Sequence, residues 1–451
     1  MTRWQPHRSW NHDVCRPVLP WLGAVLAAVG LTAVPSRLAA GEPATPAQSS
    51  SDRTEANTAP AEVELGKVAP PPPEIVPRLN LSPFYQKHVD VGGLPIISSQ
   101  EVPDAALLEA AWLVRQMVGP RTDILQTLGR NRVRLVVMAH TEMTTDIPEH
   151  SDLRPRDYWD RRARGLGASR RRPAVSCGAE NLLGYPGDPY ATENILIHEF
   201  AHAIHQMALR DIDPTFDARL NEVFEQSLTA GRWKGTYAAT NKEEFWAEGV
   251  QSWFDTNREN DHEHNQVNTR HELKEYDPAL ARLLEEVFGD RPWRYTRPHT
   301  RRHLPHLAQW NPDDNPRFRW PDAVLARYQA FQRVIAGQPL SDDPGGWHDV
   351  PLSPPDRLSE LRSPASHEAA VLVLVNQRST PIQIEWIDFE GRLQSRGEVA
   401  PGRYQPLDTF RSHLFLLRCG DERLGVVEAS DQRCRVLVSE RLSERPADNS
   451  K

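Results

Sequence analysis

The apolar positions of this chain recur at helical spacing up to about residue 337, and after residue 367 they alternate in short runs. AALLEAAWLVRQMVG (105–119) carries a helical apolar face, and RVRLVVMA (132–139) is a short apolar run that predicts a strand. Lying upstream of a motif helix, that strand is expected at the rim of a cleft, where an extended polypeptide could pair with it. In ILIHEFAHAIHQ, Leu196, Phe200, Ala203 and Met207 share one face, with Thr192 placed to cap a helix and Glu193 in its first turn. In TNKEEFWAEGVQSWF, Thr240 and Glu243 suggest a capping box, and Trp246, Val250, Trp253 and Phe254 supply the buried side. LARLLEEVF and AVLARYQAFQRVIAG read as further helices. From residue 367 to 440 the runs are β-rich and punctuated by turn residues; Ile382, Ile384 and Trp386 alternate with polar neighbours, and the pattern is that of a small β-sandwich.

These periods give an α+β domain at 79–300, mainly helical around its chemistry, and an all-β sandwich at 367–440. Between them, 301–366 reads as a Pro/Trp-rich connector with one helix, its SDDPGG and SPPDRLSELRSP stretches as loop. Residues 1–40 read as an export signal: Arg3, Arg8 and Arg16 precede an apolar stretch from Val18 to Val34, and Ala39 and Ala40 suit cleavage. Residues 41–78 are too rich in Ala, Pro, Thr and Ser to bury a core and read as linker, with order expected from Leu79, and 441–451 reads as a disordered tail. No later segment is apolar enough to span a bilayer, so no stable membrane span is expected after signal cleavage.

The net charge of −8 argues against nucleic acid as a partner. Arg161, Arg162, Arg164, Arg170, Arg171 and Arg172 crowd one stretch, read as a solvated, mobile loop. Export to the periplasm or beyond permits disulfides, and Cys419 with Cys434 could bridge neighbouring strands, leaving Cys177 unpaired.

The chemistry sits in HEFAH. His198 and His202, four apart, point the same way from a helix, the spacing at which two imidazoles share one Zn²⁺, and Glu199 is placed to act on water there. A solvated His/Glu face is the plainer reading of such a pentapeptide, but its apolar flanks imply burial, where unpaired His and Glu are costly. A third ligand is needed. His205 lies a further turn along and is read as a second-shell or surface residue. Glu244 and Glu248, four apart on the second helix, are the better source of a carboxylate. His262, His264 and His271 read as solvent-facing.

HEFAH, then GTY, then EFWAE resembles the catalytic domain of anthrax lethal factor and the secreted bacterial pro-pro endopeptidases, which are zinc metallopeptidases of zincin type. In that family a Tyr precedes the zinc-binding Glu by the interval that separates Tyr237 from Glu244. The resemblance implies His198, His202 and Glu244 as zinc ligands, Glu199 as general base and Tyr237 beside the reacting carbonyl. It implies Glu248 as the group that orients a ligand histidine, and a polypeptide substrate rich in proline.

VNQRSTPIQIEWIDFEG, APGRY and DTFRSHLFLLR resemble the β domain of the von Hippel-Lindau tumour suppressor, a domain that grips a hydroxyproline-containing peptide. Carried over by position, Trp386, Thr409 and His413 would line a peptide pocket. Phe415 and Arg396 depart from the family's tryptophan and tyrosine, which weighs against hydroxyproline while leaving the fold expectation intact. The expected function is an exported zinc metalloendopeptidase with a C-terminal binding module. The alternatives are a non-catalytic binding protein on a zincin scaffold and a zinc hydrolase of a cell-wall amide.

Overall fold

The computed structural model describes residues 65–340 and 346–440; the expected signal, residues 41–64 of the linker and the tail fall outside them. Order begins before Leu79. Leu65 and Val68 pack against the main core, Ala69 bridges to His88, and helix α1 (Ile75–Leu79) buries Ile75 and Leu79. Residues 65–78 are therefore not linker: Leu65, Val68 and Ile75 meet a buried surface, which average composition conceals.

Strands β1 (Lys87–Val91) and β2 (Leu94–Ser98) form a hairpin, followed by α2 (Asp104–Val118), α3 (Thr122–Arg130) and β3 (Arg134–Met138). Next come α4 (Arg156–Arg162), β4 (Gly165–Leu166), β5 (Ala174–Gly178) and α5 (Ala179–Leu183). The sheet order is β1-β2-β3-β5-β4, parallel at β2/β3/β5 and antiparallel at both ends. The RLVVM strand is thus interior and cannot receive another chain. Every one of its residues is buried, as befits a continuous apolar run covered on both faces. The edge strands are β1 and β4.

The arginine-rich stretch is pinned rather than mobile. Arg161, in the last turn of its helix, lies over the Trp320 ring, Arg172 pairs with Asp152, and Arg170 with Asp211. Arg164 is fully buried, forked onto Glu180 and donating to the carbonyls of Ala139 and Glu142. The carboxylates that hold these cations come from residues far enough along the chain that charge spacing alone hides them.

The second half of this unit is helical: α6 (Ile195–Ile204), a π turn (His205–Leu209), α7 (Arg210–Ile212), α8 (Phe216–Thr229), α9 (Lys242–Trp253), α10 (Arg270–Tyr276) and α11 (Pro278–Phe288). One core runs through them and the sheet, including Phe200, Trp246, Trp253 and Leu284. The expected connector also belongs to the body. Leu307 and Trp310 join that core, and Arg301 and His306 close on the buried carboxylate of Glu109 in α2. The helix expected near its end is α12 (Asp322–Ile335).

The C-terminal region is two four-stranded sheets. One runs β10 (Tyr404–Phe410), β7 (Ala369–Asn376), β13 (Arg433–Val438), β6 (His348–Asp349); the other β12 (Glu422–Glu428), β11 (Leu414–Cys419), β8 (Ile382–Ile387), β9 (Leu393–Val399). Leu372, Leu374 and Val436 face Ile384, Leu417 and Val427 across the shared core, so the expected small β domain is present. It starts inside the expected connector, at β6. The alternation of β8 breaks after Ile384, where its pairing with β9 is irregular; Trp386 is half-buried and Ile387 turns to an outer cluster with Leu358 and Leu361. Cys419 and Cys434 lie on strands of opposite sheets and are free thiols, Cys419 donating to Thr380 Oγ1 and Cys434 sulfur accepting from the Asp431 amide. The expected disulfide is absent because sequence nearness did not place them side by side.

The two regions form one compact unit. Arg435 of β13, buried, pairs with Asp349 and donates to the carbonyls of Val334 and Gln338 at the end of α12. No helix among the described residues is long and apolar enough to cross a membrane.

Candidate metal centre

Helix α6 is capped by Asn194, whose Oδ1 accepts from the Ile197 amide at 3.0 Å; Thr192 is outside it, and Glu193 precedes the first turn. Asn and Thr both serve this role, but the Asn amide sits where the chain turns in from its extended conformation. Glu199 is the one residue of α6 that is not buried. Helix α9 likewise begins one residue later than expected: Asn241, not Thr240, caps it, accepting from the Glu244 amide at 2.8 Å. That cap fixes the first turn in which Glu244 stands.

Side by side, with Trp246 Nε1 donating to the Ala201 carbonyl at 2.9 Å, α6 and α9 bring three atoms together. His198 Nε2 lies 3.2 Å from Glu244 Oε2 and 3.2 Å from His202 Nε2, and His202 Nε2 lies 3.3 Å from Glu244 Oε2. Ligands about 2.0–2.1 Å from a tetrahedral zinc are separated by about 3.3 Å, so the triangle has the dimensions of three zinc ligands. Among the described residues, this is the group of His, Cys, Asp and Glu side chains that could hold a metal.

The tautomer of His198 is set from behind. Gln251 donates through Nε2 to Glu193 Oε2 at 2.9 Å, which turns its Oε1 toward His198 Nδ1 at 2.8 Å. Nδ1 therefore carries a proton, which leaves Nε2, facing Glu244 and His202, as the nitrogen that a metal would take. Glu248, expected in that role, stands 3.6 Å from Nδ1 and is committed elsewhere, to His264 Nε2 at 3.2 Å and Asn257 Nδ2 at 3.1 Å. His264 is accordingly buried rather than solvent-facing, whereas His262 and His271 are exposed. His205 is neither ligand nor surface residue: it is buried and bonded to Asp217 at 3.0 Å.

Burial lowers the basicity of His198, but its bond to Glu244 and the charges of Glu199, Glu244 and Glu248 outweigh this and hold it at about 10. Burial pushes Glu244 up, and the two histidines pull it well below the carboxylate range. The protein around Glu199 desolvates its carboxyl and holds it above the usual range, against the pull of His198 and His202. Such a site calls for positive charge between its three converging atoms, whether a proton or a cation supplies it.

Tyr237 opens a 3₁₀ turn (Tyr237–Ala239) and stacks near His198, ring centroids 6.3 Å apart at 28°. On the other side, β4 and the chain after it pass close to α6. A Cβ at Gly167 would stand 2.7 Å from His202 Cβ, and one at Gly165 would stand 2.9 Å from the Ser176 carbonyl and 3.0 Å from Glu199 Cγ. Sequence reasoning missed Gln251 and these glycines. The G-L-G step was a visible signal for close backbone approach; Gln251, seven residues beyond Glu244 on one helix face, was another.

In the C-terminal sandwich, Trp386, Thr409 and His413 do come together. The Trp386 and His413 rings are 5.4 Å apart, and Thr409 Oγ1 is 3.0 Å from His413 Nδ1. Phe389 and Phe410, both exposed, flank His413. Phe415 is turned into the core, and Arg396 lies over the Trp386 ring at 4.8 Å. No curated protein matches the chain. The family model of the VHL beta domain matches residues 361–430, so this part of the chain, from before β7 to just past β12, is similar to that domain.

Proposed function

We propose that this chain is an exported zinc metalloendopeptidase, with a zincin-like catalytic part and a C-terminal sandwich that binds polypeptide. The observation that carries the reading is the triangle of His198, His202 and Glu244, with Glu199 on the turn between the two histidines. Those three residues would hold the metal, which when bound supplies Lewis acidity at the reacting carbonyl. Glu199 is suited to take a proton from the attacking water and return it to the leaving amine, desolvation holding its carboxyl above the usual range. The Tyr237 hydroxyl is placed to donate to the oxyanion as it develops. The edge of β4, beside Glu199 and His202, offers a backbone ladder to an extended substrate, and proline-containing sequences are the preferred class. The aromatic cluster of Trp386, Phe389, Phe410 and His413, with Thr409, is the surface proposed for holding polypeptide on the sandwich.

The test is metal content of the purified protein, wild type beside Glu244→Ala, with peptide-library cleavage on the same samples. The reading expects one zinc per chain, weakened in the variant, and cleavage near proline by wild type alone. Zinc without cleavage would transfer the assignment to a binding protein or to a cell-wall amide as the scissile bond. Absence of zinc would remove the metal-centre reading altogether.

A further inference from the structure

Helix α9 ends at Trp253, and the chain turns back toward it through two left-handed residues, Asp255 and Asn260, types that tolerate that conformation. Residues 257–265 form a strap. The amides of Asn260 and Asp261 close its tip, donating to the carbonyls of Asn265 and His264 at 2.8 and 3.2 Å. Asp261 Oδ1 accepts in turn from the amides of Glu263 and His264 at 2.8 and 3.0 Å. His264, buried, pins the strap to α9: its Nδ1 lies 2.9 Å from Asp261 Oδ1, and its Nε2 lies 3.2 Å from Oε2 of Glu248, one turn beyond Glu244. Ionised carboxylates accept hydrogen bonds and give none, so both ring nitrogens donate and the ring is a cation between two anions. Asn257 Nδ2 fixes the other end of the strap to the same Glu248 oxygen at 3.1 Å. What the pin controls is one residue away. Across 233–240 the amides of Thr236, Ala239 and Thr240 bond to carbonyls of that segment, whereas the Tyr237 amide, the first donor of its 3₁₀ turn, reaches out to the Glu263 carbonyl at 2.7 Å.

We infer that His264 is a positioning residue for the proposed metal centre: held by Glu248, it sets the strap so that the Glu263 carbonyl fixes the turn placing Tyr237 beside His198, ring centroids 6.3 Å apart. The inference rests on the hydrolase reading for its kinetic consequence, and on these bonds alone for its structural one. It gives Glu248 an occupation other than orienting His198, for which Gln251 stands nearer to Nδ1. Glu244 and Glu248 share one face of α9, so the helix that carries a proposed ligand also carries, a turn later, the anchor that keeps the tyrosine turn in register with it. His264 and Asp261 lie outside the group of His198, His202 and Glu244, so changing them leaves the three converging atoms in place.

Full-length protein is used throughout. His264→Leu should lower kcat by about tenfold with KM within about twofold and zinc content unchanged, since a displaced tyrosine acts on the transition state rather than on metal or substrate binding. In a Tyr237→Phe background the same change should cost less than about twofold more. His264→Gln, which keeps a donor for Glu248, should recover part of the loss. His264→Leu leaves a buried carboxylate unpaired, so Asp261→Ala is the second variant: Asp261 is partly exposed, and its loss undoes the turn of the strap without touching Glu248. It should lower kcat by about threefold or more with zinc content unchanged. Amide hydrogen exchange over 236–240 gives a readout that needs no hydrolysis: it should rise by about tenfold in His264→Leu and also rise in Asp261→Ala. If wild type cleaves nothing, the hydrolase reading fails and the exchange still decides what the strap holds. Unchanged exchange in both variants, raised exchange with kcat unchanged, or a full kinetic loss that persists in the Tyr237→Phe background would overturn the inference.

Discussion

Gln251 is the residue on which the histidine side of the proposed metal centre turns, and Gln251→Leu tests this. The substitution removes the acceptor 2.8 Å from His198 Nδ1 and the donor 2.9 Å from Glu193 Oε2, both buried, while leaving every ligand in place. His198 is then free to move its proton to Nε2, the atom that must stay bare. Loss of such an outer partner weakens metal affinity by about 10- to 100-fold, which is about 1.4–2.7 kcal/mol. Leaving a buried donor or carboxylate unpaired costs the fold about 1–3 kcal/mol besides. The metal-free protein should therefore lose only the second amount, and the zinc-loaded protein at saturating metal should lose both, because binding to the native state alone adds to stability. Zinc competition with a chromophoric chelator and urea unfolding with and without metal separate the two. Glu248→Gln is the comparison, since its carboxylate stands 3.6 Å from the same nitrogen. If Gln251→Leu binds zinc as wild type does while Glu248→Gln loses tenfold, the orienting role belongs to Glu248 and the reasoning is refuted.

Other outcomes follow from single contacts. Glu199→Gln should keep zinc and lose at least about 10³-fold in turnover, measured on one cleaved peptide; retained turnover would dismiss it as the base. His150 is buried beside Ser176, and burial depresses its basicity to about 4. Between pH 6.5 and 4 the unfolded chain binds its proton and the folded chain does not, so stability is lost as pH is lowered through that window, by about 3 kcal/mol. His150→Gln should flatten that slope in urea midpoints, and an unchanged slope would acquit His150. Arg164→Ala strands the buried Glu180 carboxylate and should cost about 3–5 kcal/mol by the same measurement; less than about 1 would contradict the buried pair. Gly167→Ala should lower zinc affinity by about tenfold through displacement of His202, read by chelator competition.

What the sequence made legible was local. Helical period and the His-x-x-x-His step place His198, Glu199 and His202 on α6 without error, and the strand alternation identifies the sandwich. The caps were misplaced by one or two residues because Asn, Thr and Asp compete for the same role over a few positions. The rest is long-range. Nothing near RLVVM says whether it is an edge or an inner strand, since that depends on β5 some forty residues on. The fate of Arg164 and His264 depends on Glu180 and Glu248, partners that charge patterning cannot assign. Cys419 and Cys434 were paired on nearness in sequence, whereas β11 and β13 go to opposite sheets.

The residues similar to the VHL beta domain stop at 430, and β13 begins at Arg433. That strand is hydrogen-bonded on both sides, to β7 and to β6, and its Arg435 anchors the end of α12. The recognisable stretch is therefore a unit of similarity but not a unit of folding. A fragment cut at its limits would leave β7 with an open apolar flank, an aggregation site made by the cloning boundary. Dissection of this protein has to follow hydrogen bonds rather than similarity, keeping residues 346–440 together with α12.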